Sequence, residues 1–425
     1  MGTTILIMFA ALFLLGFPVA TSILIPSIFY IVVKDLPLDL LAQRMQYSLD
    51  SYTLCAVPLF ILVGNLMNSS GVTARIFHFA DVVTGRLPGG LAQVNIFSSL
   101  VFSGMSGAAL ADVGGLGQIE IKAMKEKGFT VPYSAAVTVA SATVGPIFPP
   151  SIPLVIYGAA AGVSIVKLLV GGIGPALLAV AAMMALTAIL AKRRNFPRAP
   201  RWPTWRETWS AFIPAFPALM TPVLLIIGML TGIFTPTEAS ALTVGYVLFI
   251  SKFVYRELTW KSLPHALYET IKSTCCVLII VAAAAIFGWI LAAEQIPQIF
   301  SHWFTSISKN PLVLLFLLNI LLFVVGMFLD STTAILLFVP IIVPPMVQAG
   351  VDPIHLGLVF VFNIMCGLIT PPMGLSLFMV SKVGQIPIKD VVREITPYYI
   401  PLGITLLLIT YVPQIVLWIP NQLIK

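Results

Sequence analysis

The chain has 425 residues, 59% hydrophobic and 9% charged, with a formal net charge of +7 and a mean hydropathy of +1.03. Soluble domains carry about a quarter charged residues, so this composition excludes a soluble fold and leaves a multi-span membrane protein. The basic residues gather at the ends of apolar runs, which argues against a nucleic-acid surface and for orientation in a bilayer.

In chain order, apolar segments long enough to cross fall at 3–33, 50–69, 132–161, 165–192, 210–232, 236–256, 266–293, 355–382 and 395–420. A crossing helix needs about 20 apolar residues, and nine segments meet that length. The first has no charged leader and no small-residue cleavage site, so it reads as a retained span. Two longer apolar stretches, 89–127 and 309–350, are interrupted by Ser103-Gly-Met-Ser-Gly107 and by Gly326-Met-Phe-Leu-Asp-Ser-Thr-Thr333. They read as re-entrant helical hairpins. The segment 71–86 reads as an amphipathic surface helix. Cys55, Cys275, Cys276 and Cys366 sit in apolar runs without metal-ligand spacing and read as buried hydrophobes.

A cytoplasmic N-terminus and an outer C-terminus place 18 of the 23 Lys and Arg inside, with Lys34, Arg44, Lys167, Lys309 and Lys425 outside. Counting either hairpin as a single span spoils this split.

The chain also repeats itself. Gly104-Met105 recurs as Gly326-Met327, Gly128 as Gly350, and Gly145-x-x-x-Pro149-Pro150 as Gly367-x-x-x-Pro371-Pro372, all 222 residues apart. The 132–161 span is third and the 355–382 span eighth, five crossings on, so the second copy is inverted. Inverted repeats with paired broken segments mark secondary transporters that bind at the repeat interface. The expected division is 1–88 as N-terminal scaffold and surface helix, 89–193 as first transport repeat, 194–265 as cytoplasmic linker and central scaffold, and 266–425 as second repeat.

The runs Val144-Gly-Pro-Ile-Phe-Pro-Pro-Ser151 and Gly367-Leu-Ile-Thr-Pro-Pro-Met-Gly374 cannot be continuous helix. Unwound backbone at membrane depth is tolerated only inside protein or along a wet cavity. Freed carbonyls and hydroxyls suit Na⁺, and half-helix N-termini suit an anion. One Na⁺ site is therefore expected from Ser103, Gly104, Ser106, Thr143, Gly145 and Phe148. A second is expected from Gly326, Ser331, Thr332, Gly367, Thr370 and Met373. Asp112 and Asp330 are the acids expected at membrane depth, with helix capping as the alternative role for Asp330. Glu238 and Glu294 read as interfacial.

No phosphate-binding loop occurs, so the energy source is an ion gradient. No deeply buried His, Glu or Lys chain is expected, which favours Na⁺ over H⁺. Gly104-Met-Ser106-Gly107 also fits the nucleophile pattern of intramembrane serine proteases, but His78, His265, His302 and His355 all fall near helix ends.

The texts FSGMSGAALADVGGLG, KAMKEKGF, GPIFPPS, FLDSTT and GLITPPMG resemble the large membrane subunit of tripartite ATP-independent periplasmic (TRAP) transporters, along nearly the whole chain. The resemblance implies a Na⁺-coupled elevator permease in a bacterial inner membrane. It implies uptake of an organic acid such as a C4-dicarboxylate or sugar acid, delivered by a periplasmic binding protein. It also implies a small four-helix membrane subunit, here a separate chain, and a substrate site with Ser106, Ala108, Asp112, Pro149, Asp330 and Thr370. Ala108 departs from the hydroxyl common at that position in sialic acid carriers, which points towards a dicarboxylate or another sugar acid. A stand-alone Na⁺/carboxylate symporter is the alternative within transport.

Overall fold

The computed structural model describes residues 1–199, 201–259, 261–308 and 310–424, with all their side chains except those of Ser103, Met105, Ser106 and Thr305. The described residues form helices and no strands, as expected where every backbone group must be satisfied within its own segment.

Five long helices, Ile165–Arg194, Trp205–Leu230, Pro236–Val254, Leu263–Ala293 and Ile388–Tyr411, are long and apolar enough to cross a bilayer. Asp39–Leu49 and Tyr52–Asn68 pass the same test of length and composition together and are bent by 61° at their break. Two spans are broken as expected. Val131–Ser141 continues through a short 3-10 turn to Val144, unwinds, and resumes as Ile152–Ala161. Pro353–Leu368 unwinds and resumes as Leu375–Gly384.

The first expected span is not one. Residues 3–33 form two short helices, Gly2–Leu14 and Val19–Val33. Gly16 turns the chain at φ +85°, and Pro18 starts the second helix. The two helices pack together and return to the same end. There the Glu294 carboxylate accepts the Gly2 amide at 2.9 Å and the Tyr30 hydroxyl at 3.0 Å, with Lys34 Nζ 3.4 Å away. A cytoplasmic Met1 and an outer Lys34 therefore cannot both stand. Composition hid this because two helices of 13 and 15 residues in tandem have the same apolar length as one tilted span.

Both hairpins form. The first runs Leu91–Ser106, Ala109–Gly114 and Leu116–Glu126; the second runs Pro311–Phe328 and Ser331–Gln348. Both arms of the second line one cavity at its base, through Leu314 on one arm and Pro344, Pro345 and Gln348 on the other, so it closes on a single side. The surface helix expected at 71–86 is Val72–Thr84. A shift of 222 residues brings it onto Ile296–Ile307, a second amphipathic helix that sequence reading passed over.

The cysteines divide: Cys366 is buried, whereas Cys55, Cys275 and Cys276 are exposed. A membrane helix can turn an apolar face outward, so apolar context does not decide burial in the protein.

Candidate functional site: two hairpin tips against two broken helices

Each hairpin tip meets the break of its own repeat, because glycines let the backbones touch. A Cβ on Gly326 would lie 2.7 Å from the Ile364 carbonyl oxygen, and one on Gly367 would lie 2.6 Å from the Gly326 carbonyl carbon. No larger residue fits either position without moving backbone. The Gly374 amide then donates to the Met327 carbonyl at 3.0 Å. Gly326, Gly367 and the 370–374 loop are thus brought together, as the second expected cation site requires.

Within this break the Thr370 hydroxyl donates to the Cys366 carbonyl at 2.7 Å, and the Tyr399 hydroxyl to the Ile369 carbonyl at 2.8 Å. Met373 is 46% exposed. Across the tip, Asp330 accepts the Thr332 and Thr333 amides at 3.0 and 3.3 Å and also the Thr333 hydroxyl. Its carboxylate caps the second arm, the alternative role read from sequence, and holds Ser331 and Thr332 at the first turn of that helix.

The first repeat has the same skeleton. Gly107, at φ +61°, would place a Cβ 2.6 Å from the Pro150 carbonyl oxygen, and its own carbonyl accepts the Ile152 amide at 3.4 Å. A Cβ on Gly104 would meet Phe148 at 3.4 Å and Pro222 of the Trp205–Leu230 helix at 3.0 Å. Thr143 donates to the Ala140 carbonyl at 2.7 Å, and the Gly145 amide to the Ala142 carbonyl at 3.2 Å. Ser151 caps Ile152–Ala161 through the Leu154 amide at 3.2 Å. Gly104, Phe148, Gly145 and Thr143 therefore stand around one tip and its break, with Pro149 buried among them. The Ser103 and Ser106 side chains lie outside the described residues. Both Pro–Pro bonds, 149–150 and 371–372, are cis.

Ala108 stands at the N-cap of Ala109–Gly114 with no capping side chain, where the second repeat has Asp330. Asp112 lies on a short helix that packs on the 142–144 turn at the break. It is 2% exposed within the hairpin and acts electrostatically on Glu120, an acid that sequence reading missed and that is 1% exposed. The sequence expectation concerned a chain of such groups; Glu120 is a single buried acid that it did not name. The signal lay in Asn95, Ser98 and Ser99 on one helix face, matched by Thr138 and Ser141, polar positions at helical spacing in apolar segments.

The repeats also interlock. The second arm of the first hairpin packs on Leu375–Gly384, and that of the second hairpin packs on Ile152–Ala161. On one face a cavity of about 530 Å³ is lined by Tyr47, Asp50, Ala284 and Gly288 together with Ala159, Ala160 and Pro340. His355 is buried, with Nε2 2.7 Å from the Ile409 carbonyl.

Comparison with known proteins agrees. Residues 6–415 match the family model described as the tripartite ATP-independent periplasmic transporter, DctM component. The chain is 43% identical to the sialic acid TRAP transporter large permease protein SiaM of Vibrio cholerae, over 96% of this chain and 95% of that one. It is 40% identical to the sialic acid TRAP transporter permease protein SiaT of Haemophilus influenzae, over 99% of this chain and 68% of that one. The crystal structure of the Alcanivorax borkumensis YdaH transporter superimposes with a TM-score of 0.64 at 14% identity, covering 87% of this chain and 86% of that one; that likeness concerns the fold. The chain belongs to the DctM family and is the large permease component of a TRAP transporter.

Proposed function

We propose that this permease imports an organic acid anion by Na⁺ symport, moving its two hairpin modules past a fixed scaffold. The observation that carries the reading is the pair of glycine contacts between tip and break, Gly107 on Pro150 and Gly326 on Gly367. Both occur at unwound segments rich in carbonyl oxygen, which suits a small hard cation. The interlocked hairpins and broken spans form the moving unit; Trp205–Leu230, Pro236–Val254, Leu263–Ala293 and the bent pair form the scaffold. The cavity lined by small residues between the two sets favours sliding there.

The substrate class is a carboxylate-bearing sugar or C4-dicarboxylate. Both relatives named above are sialic acid permeases, which brings carboxylated sugars to the front although Ala108 lacks the hydroxyl. The partners are a small membrane subunit on a separate chain and a periplasmic binding protein. In the bacterial inner membrane, a periplasmic N-terminus beside Lys34 keeps 18 of the 23 Lys and Arg cytoplasmic, since residues 1–33 contain neither residue type.

Thermal unfolding of the purified chain in Na⁺ and in K⁺ tests this. A cation that binds the folded state selectively raises the midpoint, so a Na⁺-specific rise is expected. Equal midpoints, together with Na⁺-independent uptake in vesicles holding all three components, would overturn the coupling.

A further inference from the structure

Glu120 sits on the second arm of the first hairpin, sealed from solvent. The Ser98 hydroxyl of the opposite arm donates to Oε1 at 2.7 Å; the Thr138 hydroxyl also acts on the carboxyl, but among the described residues Oε2 makes no hydrogen bond of ordinary geometry. The arm lies tight against Val131–Ser141 because residue 117 is glycine: a Cβ there would be 2.9 Å from Thr138 Cγ2. Polar groups continue from this point. Asn95 Nδ2 donates to Thr138 Oγ1 at 2.7 Å, Ser141 Oγ donates to Asn95 Oδ1 at 2.9 Å, and Ser99 and Ser141 share a hydrogen at 2.9 Å. The series ends two residues before Thr143 at the break.

The elements packed on this arm are Leu91–Ser106, Ala109–Gly114, Val131–Ser141 and Leu375–Gly384. Their titratable groups are Asp112, Tyr133 and Lys382. Asp112 is near enough to act electrostatically on Glu120. The Tyr133 hydroxyl is 3.0 Å from that of Tyr398. Lys382 is exposed, as are Lys122, Lys125 and Glu126 on the arm itself. Among the described residues no cation pairs with Glu120, and no cluster of acids, His or Cys could hold a metal ion. A buried carboxylate so placed costs several kcal/mol unless it is neutralised.

We propose that Glu120 is a proton-binding site of the first hairpin. It carries a proton on Oε2 while the arms pack against the broken span, and releases it when they part and water enters. The proton is exchanged with solvent and no other bond changes. The second repeat has Ile342 at the matching position, so only one of the two hairpins carries this link.

Infrared spectroscopy of the purified full chain tests the site directly. A protonated-carboxyl band is expected in the wild type and is lost in Glu120→Gln. Between about pH 5.5 and about pH 8.5, above the ordinary glutamate value, the wild-type midpoint should fall as pH rises. Glu120→Gln, which mimics the neutral form, should stay level over that window. If that variant does not fold, Ser98→Ala keeps the carboxyl and removes its donor; the band must then shift. An identical band and pH profile in wild type and Glu120→Gln, or a band unmoved in Ser98→Ala, overturns the proposal. So does a Na⁺ response lost on Glu120→Gln, because Na⁺ would then be the ion held there. The infrared arm does not rest on the Na⁺ symport reading, which stands or falls on Na⁺ dependence alone.

Discussion

The two hairpins share a backbone plan and little side-chain chemistry. In the first, the unwound break is buried, with Pro149, Pro150 and Ser151 all closed off; in the second, Pro372 and Met373 are exposed. The first has a second arm interrupted at Gly115 and two buried acids inside it. The second has an uninterrupted arm started by the Asp330 cap and an amide network instead, in which Asn363 donates to Asn319 Oδ1 at 2.8 Å and Asn319 donates to Thr410 at 3.0 Å. Asn363 lies 222 residues after Ser141, so both repeats tie hairpin to broken span from the same position with different groups. What the repeats keep is therefore the set of residues that decide where the backbone can approach or unwind. The groups that touch ions and protons are free to differ.

The comparison is broken hardest at the glycines. Gly367→Val should abolish transport and lower the melting temperature of the purified protein, because its side chain would enter the Gly326 backbone; overpacking of this kind costs about 1–3 kcal/mol or more. Gly104→Ala meets the Pro222 ring and Phe148 rather than backbone, and should cost less in the same measurement.

Asp330→Ala removes a cap that serves two amides, an expected loss of about 0.5–2 kcal/mol, read as a lower midpoint that Asp330→Asn largely restores. Ala108→Asp at the matching position in the first repeat tests whether the plan is transferable. A raised midpoint would show that the first tip lacks only the cap.

Thr370→Ala sharpens the difference between the breaks. It removes one hydroxyl bond to a carbonyl, worth about 1 kcal/mol, yet should eliminate most of the Na⁺-specific rise in midpoint. Thr143→Ala should leave the second site's share of that rise intact.

The smallest effect lies at the clamp on the first helix. Hydrogen bonds from the Gly2 amide, and then from Tyr30, hold the Glu294 carboxyl down at about 2 from an ordinary 4.5. A lowered value stabilises the clamp above the unfolded value, and that contribution fades as pH falls from 4.5 towards 2. Hydrogen exchange in Gly2–Leu14 should rise over that window in the wild type. In Glu294→Gln it should already be fast at neutral pH.

The sequence by itself determined the membrane class, the two hairpins, the two breaks and the repeat. Each depends on local rules: apolar length sets a crossing, and Gly and Pro at membrane depth mark where helix cannot continue. It also found Asp330 and its capping role, because a cap is a contact between chain neighbours. Tertiary structure decided the rest. Whether residues 1–33 cross once or return rests on the Glu294 contacts with Gly2, Tyr30 and Lys34, far apart in the chain. That Asp112 lies near enough to Glu120 to act on it depends on how the short helix of the hairpin is packed. That Glu120 is buried depends on Ser98 and Thr138 from two other helices. Such partners are chosen by packing, and no local pattern of residues specifies them.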